Sequence, residues 1–201
     1  KAVNLNMHRA RGLLGAYARH LERRPLRTNM LTALGLGAAS DVCCQVAVEG
    51  TPWRDFDFRR LAAIAAFSTL YNGGICTKVY PMYARLLPAT MRATPLREGV
   101  GSTILDNFLH SPVFYIPTFF LSTEIMRGKG FADAWAHLES GYSVTVLSTW
   151  AMWIPLQLWN FSIVPPQFRV LVLAAGGFVY VVQVDWISEW KRAKTQKTNN
   201  K

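Results

Sequence analysis

The chain has 201 residues, a size typical of one compact unit, and its 22 Lys and Arg against 12 Asp and Glu give a net charge of +10. Hydrophobic residues make up 51% of the chain and charged residues 17%, below the roughly 25% typical of soluble domains. The charges crowd residues 1–27, 54–60, 85–98 and 187–201, and the blocks between them are apolar. A soluble protein would spread its charges along amphipathic helices. The composition therefore predicts an integral membrane protein.

The positive charge has two interpretations, a nucleic-acid surface or basic side chains that flank membrane spans. The sequence has neither zinc-finger spacing nor an RNA-recognition signature, so we expect no nucleic-acid partner. We favour contacts with membrane lipids, including an anionic phospholipid such as cardiolipin. The four His are scattered, and Cys43, Cys44 and Cys76 lack both metal-ligand spacing and a disulfide pattern. No serine lies in a nucleophile motif, so we expect no metal, no cofactor, no catalytic residue and no enzymatic activity.

Residues 1–25 are predicted to form a basic N-terminal helix that lies in the membrane interface. Up to residue 21 this segment contains Lys, Arg and His but no acid, which is the composition of a mitochondrial targeting segment. On a helix, Leu13, Tyr17 and Leu21 share one face, and basic groups surround the rest. Pro25 suits the first turn of the next helix.

Residues 26–190 are predicted to form an all-α transmembrane bundle, and residues 191–201 a basic tail. The four main spans are expected at about residues 26–48, 61–87, 101–126 and 142–161. A short amphipathic helix around Trp135 and Leu138 is expected in the connection before the fourth span. The last apolar run, 170–184, has 15 residues, short of the roughly 20 that a full crossing needs. It is therefore predicted to be the second arm of a C-terminal helical hairpin.

The segment around this predicted turn organises the chain. Four of its residues share one helical face, because they are spaced four, three and four apart: Trp153, Gln157, Asn160 and Val164. Pro165 and Pro166 should end the helix, because Pro restricts its own φ and the residue before it. Arg169 then opens the last apolar run, where we expect it to bind helix-end carbonyls or a phospholipid. The two buried amides need partners, since an unpaired amide in hydrocarbon is costly.

Three ionisable residues lie inside predicted spans: Asp41, Lys78 and Asp106. Such groups face the bundle interior and usually pair, so we predict that both aspartates face Lys78. Five other polar residues are expected beside them: Gln45, Asn107, His110, Gln157 and Asn160. One hypothesis is that this set lines a polar pathway, with His110 as a proton relay one turn from Asp106. The other is that it joins helices through hydrogen bonds worth about 0.6–2 kcal/mol each.

From about residue 13 to residue 191, the chain resembles the Mpv-seventeen and peroxisomal membrane protein family. In the N-terminal helix and the first three predicted spans, eleven residues occur at the positions where the family has the same residue types: Tyr17, Leu21, Pro25, Thr32, Gly37, Asp41, Gln45, Gly73, Tyr80, Asp106 and Pro112. The most specific match is the hairpin signature Trp153-x3-Gln157-x2-Asn160-Phe161-x2-Val164-Pro165-x3-Arg169. The resemblance implies a multi-span helical protein of the mitochondrial inner membrane, with the peroxisomal membrane as the alternative. It also implies a channel-like or solute-permeation role.

The chain departs from the family pattern at several positions. Leu14, Val79 and Gln183 stand where the family has tryptophans, Gly74 replaces a common Pro, and Thr77 replaces a frequent His. A protein that kept the fold but changed its role would show such departures. The competing hypothesis is therefore a non-catalytic accessory subunit of a large inner-membrane assembly, either a respiratory-chain complex or ATP synthase.

Overall fold

In the computed structural model, which describes residue 12 and residues 15–182, all regular secondary structure is helical. The prediction of an all-α fold is therefore confirmed for these residues. A short helix, α1, covers residues 15–23. Longer helices follow in chain order: α2 at Pro25–Val48, α3 at 58–86, α4 at 95–126, α5 at Phe131–Ser162 and α6 at Pro166–Val182. The predicted tail at 191–201 lies outside the described residues, as do Leu14 and Gln183.

The helix boundaries follow from local chemistry. Pro25 and Pro95 occupy the first turns of α2 and α4, where a missing N–H is harmless. The Asp57 carboxylate caps α3 by accepting a hydrogen bond from the Arg60 N–H at 2.8 Å. Gly128 has φ +93° in the turn before α5, a conformation that L-residues with a Cβ rarely adopt.

Three of the helices contain a π-helical stretch, in which N–H groups bond to the carbonyl five residues earlier. These stretches are Cys44–Val48 in α2, Ser68–Ile75 in α3 and Leu105–Tyr115 in α4. At the end of the last one, the Ile116 N–H donates to the carbonyl of Ser111. Such wide turns are uncommon and concentrate at functional sites. Here they contain four of the eight polar residues that the sequence placed inside spans: Gln45, Asp106, Asn107 and His110.

The helices pack as neighbours in a bundle. α2 packs against α3, α3 against α4, and α4 against α5. Aromatic side chains from α3 and α5 fill the centre: Phe67, Tyr71, Tyr80, Tyr83 and Phe161. Gly73 lets α2 and α3 approach closely, since a Cβ on it would lie 2.5 Å from the Met30 Cα.

Polar and apolar side chains are distributed as expected for a protein in lipid. Asp41, Asn107 and Asn160 are 0% exposed, because polar groups must be satisfied inside the bundle when no water surrounds it. By contrast, large apolar side chains cover the outside, among them Leu31, Leu70, Val144 and Ile163. This distribution supports the prediction of a membrane protein.

The structure bears on two predictions about individual helices. Among the described helices, only α2 has both the length and the apolar composition of a membrane span, and α6 is apolar but shorter. The arrangement with four spans therefore stays a prediction. The prediction of a separate short helix around Trp135 and Leu138 is wrong, because both residues belong to the continuous helix α5. No proline interrupts residues 131–154, so the helix continues and satisfies its own backbone groups.

Candidate functional site: a buried polar network beside two cavities

Asp106 is the centre of a buried hydrogen-bond network in the middle of the bundle. Its carboxylate accepts hydrogen bonds from the Tyr83 hydroxyl at 2.8 Å and the Gln157 side-chain amide at 2.7 Å. The third contact is with Nδ1 of His110, one turn further along α4, at 3.1 Å. Asp106 thus joins α3, α4 and α5, and the carboxylate is 4% exposed.

His110 extends this network to a second tyrosine. Its Nε2 lies 3.1 Å from the Tyr71 hydroxyl, and the two rings stack with centroids 5.8 Å apart. The structure therefore places His110 between a carboxylate and a phenol, both of which can exchange a proton with an imidazole. The arrangement is compatible with the predicted relay and also with a purely structural hydrogen bond.

Gln157 and Asn160 connect the Asp106 network to the hairpin turn. The Gln157 amide also donates to the Tyr80 hydroxyl at 2.8 Å, while its oxygen accepts a hydrogen bond from Asn160 at 2.9 Å. Asn160 in turn donates to the backbone carbonyl of Arg169 at 3.2 Å. Both amides are buried and have partners, as the sequence required, and they share the face that their spacing indicated.

Arg169 stabilises the turn rather than the centre of the bundle. Its guanidinium donates to the backbone carbonyls of Phe161 at 2.9 Å and Val164 at 3.3 Å. It also lies over the Phe161 ring, 5.5 Å from the centroid. Burial lowers the pKa of Arg169 from its ordinary value, and the Glu98 carboxylate opposes this shift. Of the two roles considered from the sequence, the geometry matches the binding of helix-end carbonyls.

Asp41 belongs to a second cluster at the opposite end of the bundle. It accepts a hydrogen bond from Gln45 at 2.7 Å and forms an ion pair with Arg60 at 2.7 Å. Gln45 in addition accepts a hydrogen bond from the Asp57 N–H at 2.8 Å, which ties the end of α2 to the start of α3. The structure thus divides the predicted polar set into two clusters around different carboxylates.

Asp57 and Arg127 connect the Asp41 cluster to the end of α4. The Arg127 guanidinium lies 3.2 Å from the Asp57 carboxylate and 3.3 Å from Glu124. Burial disfavours the charged form of Asp57, but the Arg60 N–H and the Arg127 charge outweigh it and hold the pKa of this carboxyl below its ordinary value.

The prediction that both aspartates face Lys78 is wrong. Lys78 is exposed, and the basic partner of Asp41 is Arg60. Lys78 lies two positions from both Cys76 and Tyr80, which face the core. Residues two apart on a helix do not share a face, so Lys78 is turned outward.

Asn107 is buried but lies apart from both clusters. Its side chain donates to the Thr103 carbonyl within α4, and its backbone carbonyl accepts the Trp150 indole N–H at 2.8 Å. Its role in the described part of the chain is thus a contact between α4 and α5.

A cavity of about 440 Å³, which we call the vestibule, lies between α3, α4, α5 and α6. Its volume is within the range of ligand pockets. Apolar and aromatic side chains form most of its wall, including Ile116, Phe119 and Phe120. Charged groups line one end, which we call the mouth: Arg60, Glu124, Arg127 and His137.

A second cavity, of about 20 Å³, lies against the Asp106 network and has room for one water molecule. Asp106, His110 and Gln157 line it. Tyr115, Thr149 and Trp153 line both this cavity and the vestibule. We call these three residues the partition, since they lie between the vestibule and the buried carboxylate.

Sequence reasoning missed the partners that complete both clusters. Arg60 lies just outside the span expected at about residues 61–87, whereas the structure places it in the first turn of α3 next to the capping Asp57. Tyr71 and Tyr83 are not among the site residues predicted from the sequence. For Tyr83, a usable signal was its spacing relative to Tyr80, because it follows Tyr80 by three residues and thus shares its helical face.

Comparison with known proteins shows that the chain is similar to membrane proteins of mitochondria and peroxisomes. The model of the Mpv17 / PMP22 family matches residues 124–184, which include the hairpin. The mitochondrial inner membrane protein Mpv17 of Rattus norvegicus is 25% identical over 171 residues, which cover 85% of this chain and 94% of that protein. The chain is therefore similar to proteins of the Mpv17 / PMP22 family, as its sequence pattern indicated.

Two further relatives show the breadth of the Mpv17 / PMP22 family. SYM1 of Saccharomyces cerevisiae is 28% identical over 178 residues, covering 87% of this chain and 86% of that protein. Peroxisomal membrane protein 2 of Bos taurus is 27% identical over 166 residues, covering 80% and 82%. The names of these relatives support the predicted location in the mitochondrial inner membrane, with the peroxisomal membrane as the alternative. No solved structure matches the chain.

Proposed function

We propose that this protein provides a permeation path for small polar solutes across the mitochondrial inner membrane. The observation that supports this most is the shared wall of the two cavities. Because Tyr115, Thr149 and Trp153 line both, the vestibule reaches within one side chain of the buried Asp106 network. Ionisable residues deep in a membrane protein commonly mark such paths.

In this proposal the mouth and the vestibule admit solute from one end, and the path beyond Asp106 is closed. Tyr80, Tyr83 and Phe161 pack against one another there, with Phe161 in T-shaped contact with both tyrosines and ring centroids 5.0 to 5.8 Å apart. Transport would require that these rings separate. The hydrogen bonds of Tyr80 and Tyr83 to Gln157 and Asp106 would then break and re-form, which gives the polar network a role in gating.

The competing explanation is that the same hydrogen bonds only hold the helices together. Thr149 separates the two explanations because it lines both cavities and contributes little to the network. Its hydroxyl lies 3.3 Å from that of Tyr180. Replacing Thr149 with Val removes the hydroxyl at nearly constant volume. A structural role predicts almost no change in flux, whereas a path predicts a loss of polar-solute flux.

The experiment is a flux assay on purified full-length protein in liposomes, with KCl conductance and release of small sugars as readouts. Thr149→Val should reduce flux, and Trp153→Ala should increase it by opening the partition. Thr118→Val is the matched control, because Thr118 is exposed on the outside of α4. If both Thr149 and Trp153 variants transport like wild type while folded, the path is not there.

The same preparation tests the accessory-subunit alternative. A permeation protein should migrate alone or as a small homo-oligomer after mild detergent extraction from its own mitochondria. Stoichiometric migration with a respiratory-chain complex or ATP synthase, together with absent flux in liposomes, would support the alternative instead.

A further inference from the structure

A basic groove lies where α1 meets α2, on the bundle surface and away from the polar network. Its volume is about 520 Å³, and its lining residues are His20, Arg23, Arg24, Arg27, Thr28 and Leu31. An adjoining groove of about 410 Å³ shares Arg24 and Arg27 and adds Pro25 and Leu26. The Thr28 hydroxyl donates to the carbonyls of His20 and Arg24, which fixes the corner between the helices.

The arginines of this groove differ from those at the mouth of the vestibule. Arg60 and Arg127 are paired with carboxylates. Arg23, Arg24 and Arg27 are exposed, and within residues 15–182 none of them has an acidic side chain at ion-pair distance. Like charges held this close repel one another, so an anion between them is favoured. Arginine is also the side chain best suited to phosphate.

The groove also has an apolar side. Leu26 is 40% exposed and Leu31 is 68% exposed, and both belong to α2, the described helix with the length and composition of a membrane span. Arg23 and Arg24 precede the start of that helix at Pro25, where a bilayer has its headgroups. The groove therefore places cations at headgroup level and leucines at the level of the acyl chains.

We propose that this groove is a binding site for an anionic phospholipid, with the lipid phosphate between Arg23, Arg24 and Arg27 and an acyl chain against Leu31. The site is separate from the proposed path and does not depend on it. A soluble phosphate would use the arginines alone, whereas a lipid also uses the exposed leucines. The test therefore includes a soluble anion as a second probe.

The test measures lipid binding to delipidated full-length protein by native mass spectrometry, with phosphatidylglycerol and phosphatidylcholine as probes. The site variant is Arg23→Gln/Arg24→Gln/Arg27→Gln. The matched control is Arg85→Gln/Arg92→Gln/Arg97→Gln, which removes the same charge from exposed arginines at the end of α3, in the loop after it and at the start of α4. We expect wild type and control to prefer phosphatidylglycerol, and the site variant to bind it roughly tenfold or more weakly, since each basic residue near an anionic lipid contributes about 1 kcal/mol.

Equal loss in both triple variants, or retained preference in the site variant, would overturn the proposal. If the triple variant does not fold, the single change Arg24→Gln must give a smaller loss of the same sign, because Arg24 lines both grooves. Inorganic pyrophosphate is the soluble anion probe. If millimolar pyrophosphate competes for the groove as effectively as phosphatidylglycerol does, the groove is a site for soluble anions. In that case Leu31→Ala would leave the affinity for the anion unchanged.

Discussion

Replacing Asp106 with Ala tests the energetic role of the network directly. The carboxylate makes three side-chain contacts, with Tyr83, His110 and Gln157. At about 0.6–1.7 kcal/mol for each hydrogen bond inside a membrane protein, their loss lowers the free energy of unfolding by about 2–5 kcal/mol. Asp106→Asn should lie between wild type and Ala, because an amide oxygen can replace only part of the carboxylate.

The assay is reversible unfolding in mixed detergent micelles, followed by circular dichroism. Asp55→Ala is the control, because Asp55 is exposed before α3 and should change stability by less than about 0.5 kcal/mol. A double-mutant cycle with Tyr83→Phe should give a coupling of about 0.6–1.7 kcal/mol. The reasoning fails if Asp106→Ala is as stable as Asp55→Ala, or if the coupling is zero.

Three further predictions use the same stability assay. Gly73→Ala should lower the free energy of unfolding by about 1–3 kcal/mol, because the new methyl group would clash with the Met30 backbone. Gly74→Ala is the control and should be neutral, because the nearest atom to its added Cβ is 3.6 Å away. Equal effects of the two changes would contradict the close packing of α2 and α3 at Gly73. Arg169→Lys should lose about 1.5–3 kcal/mol, because an ammonium cannot serve both turn carbonyls, and no loss would refute the capping role. The folded pKa of Asp57 is lowered, so its stabilisation is present at neutral pH and is lost as the pH falls below about 4. Asp57→Asn should therefore be slightly less stable than wild type at pH 7, by less than 1 kcal/mol because the Asp57–Arg127 pair is partly exposed. The same difference in stability at pH 3 would contradict the stabilising role of the Asp57 carboxylate.

The sequence was most informative where a residue type has few structural options. Gln157 and Asn160 had to be buried with partners, because an apolar helix places their amides away from water, and the structure confirms their hydrogen bonds. Pro165 and Pro166 marked the end of α5, since each proline restricts its own φ and the residue before it. The all-helical fold followed from the lengths of the apolar blocks between clustered charges.

The partners of the ionisable residues could not be predicted in the same way. Pairing Asp41 with Arg60 instead of Lys78 depends on which faces of α2 and α3 meet, and the π-helical stretch Ser68–Ile75 alters the rotation of α3 before Lys78 is reached. Helical periodicity assumes a constant 3.6 residues per turn, so it cannot follow a face through such a stretch. The cavities are likewise products of packing between several helices, and no short motif encodes them.

The most direct test of the account is whether water reaches the partition when the protein is in a bilayer. Thr149→Cys and Leu147→Cys would be treated with a membrane-impermeant, charged thiosulfonate in proteoliposomes, with the wild type as background for its three cysteines. Thr149 lines both cavities, whereas Leu147 is 62% exposed on the outer surface of α5 and would face lipid. The account predicts labelling and block of flux at position 149 and none at 147. An unreactive position 149 in a folded, reconstituted protein would contradict a path that reaches Asp106.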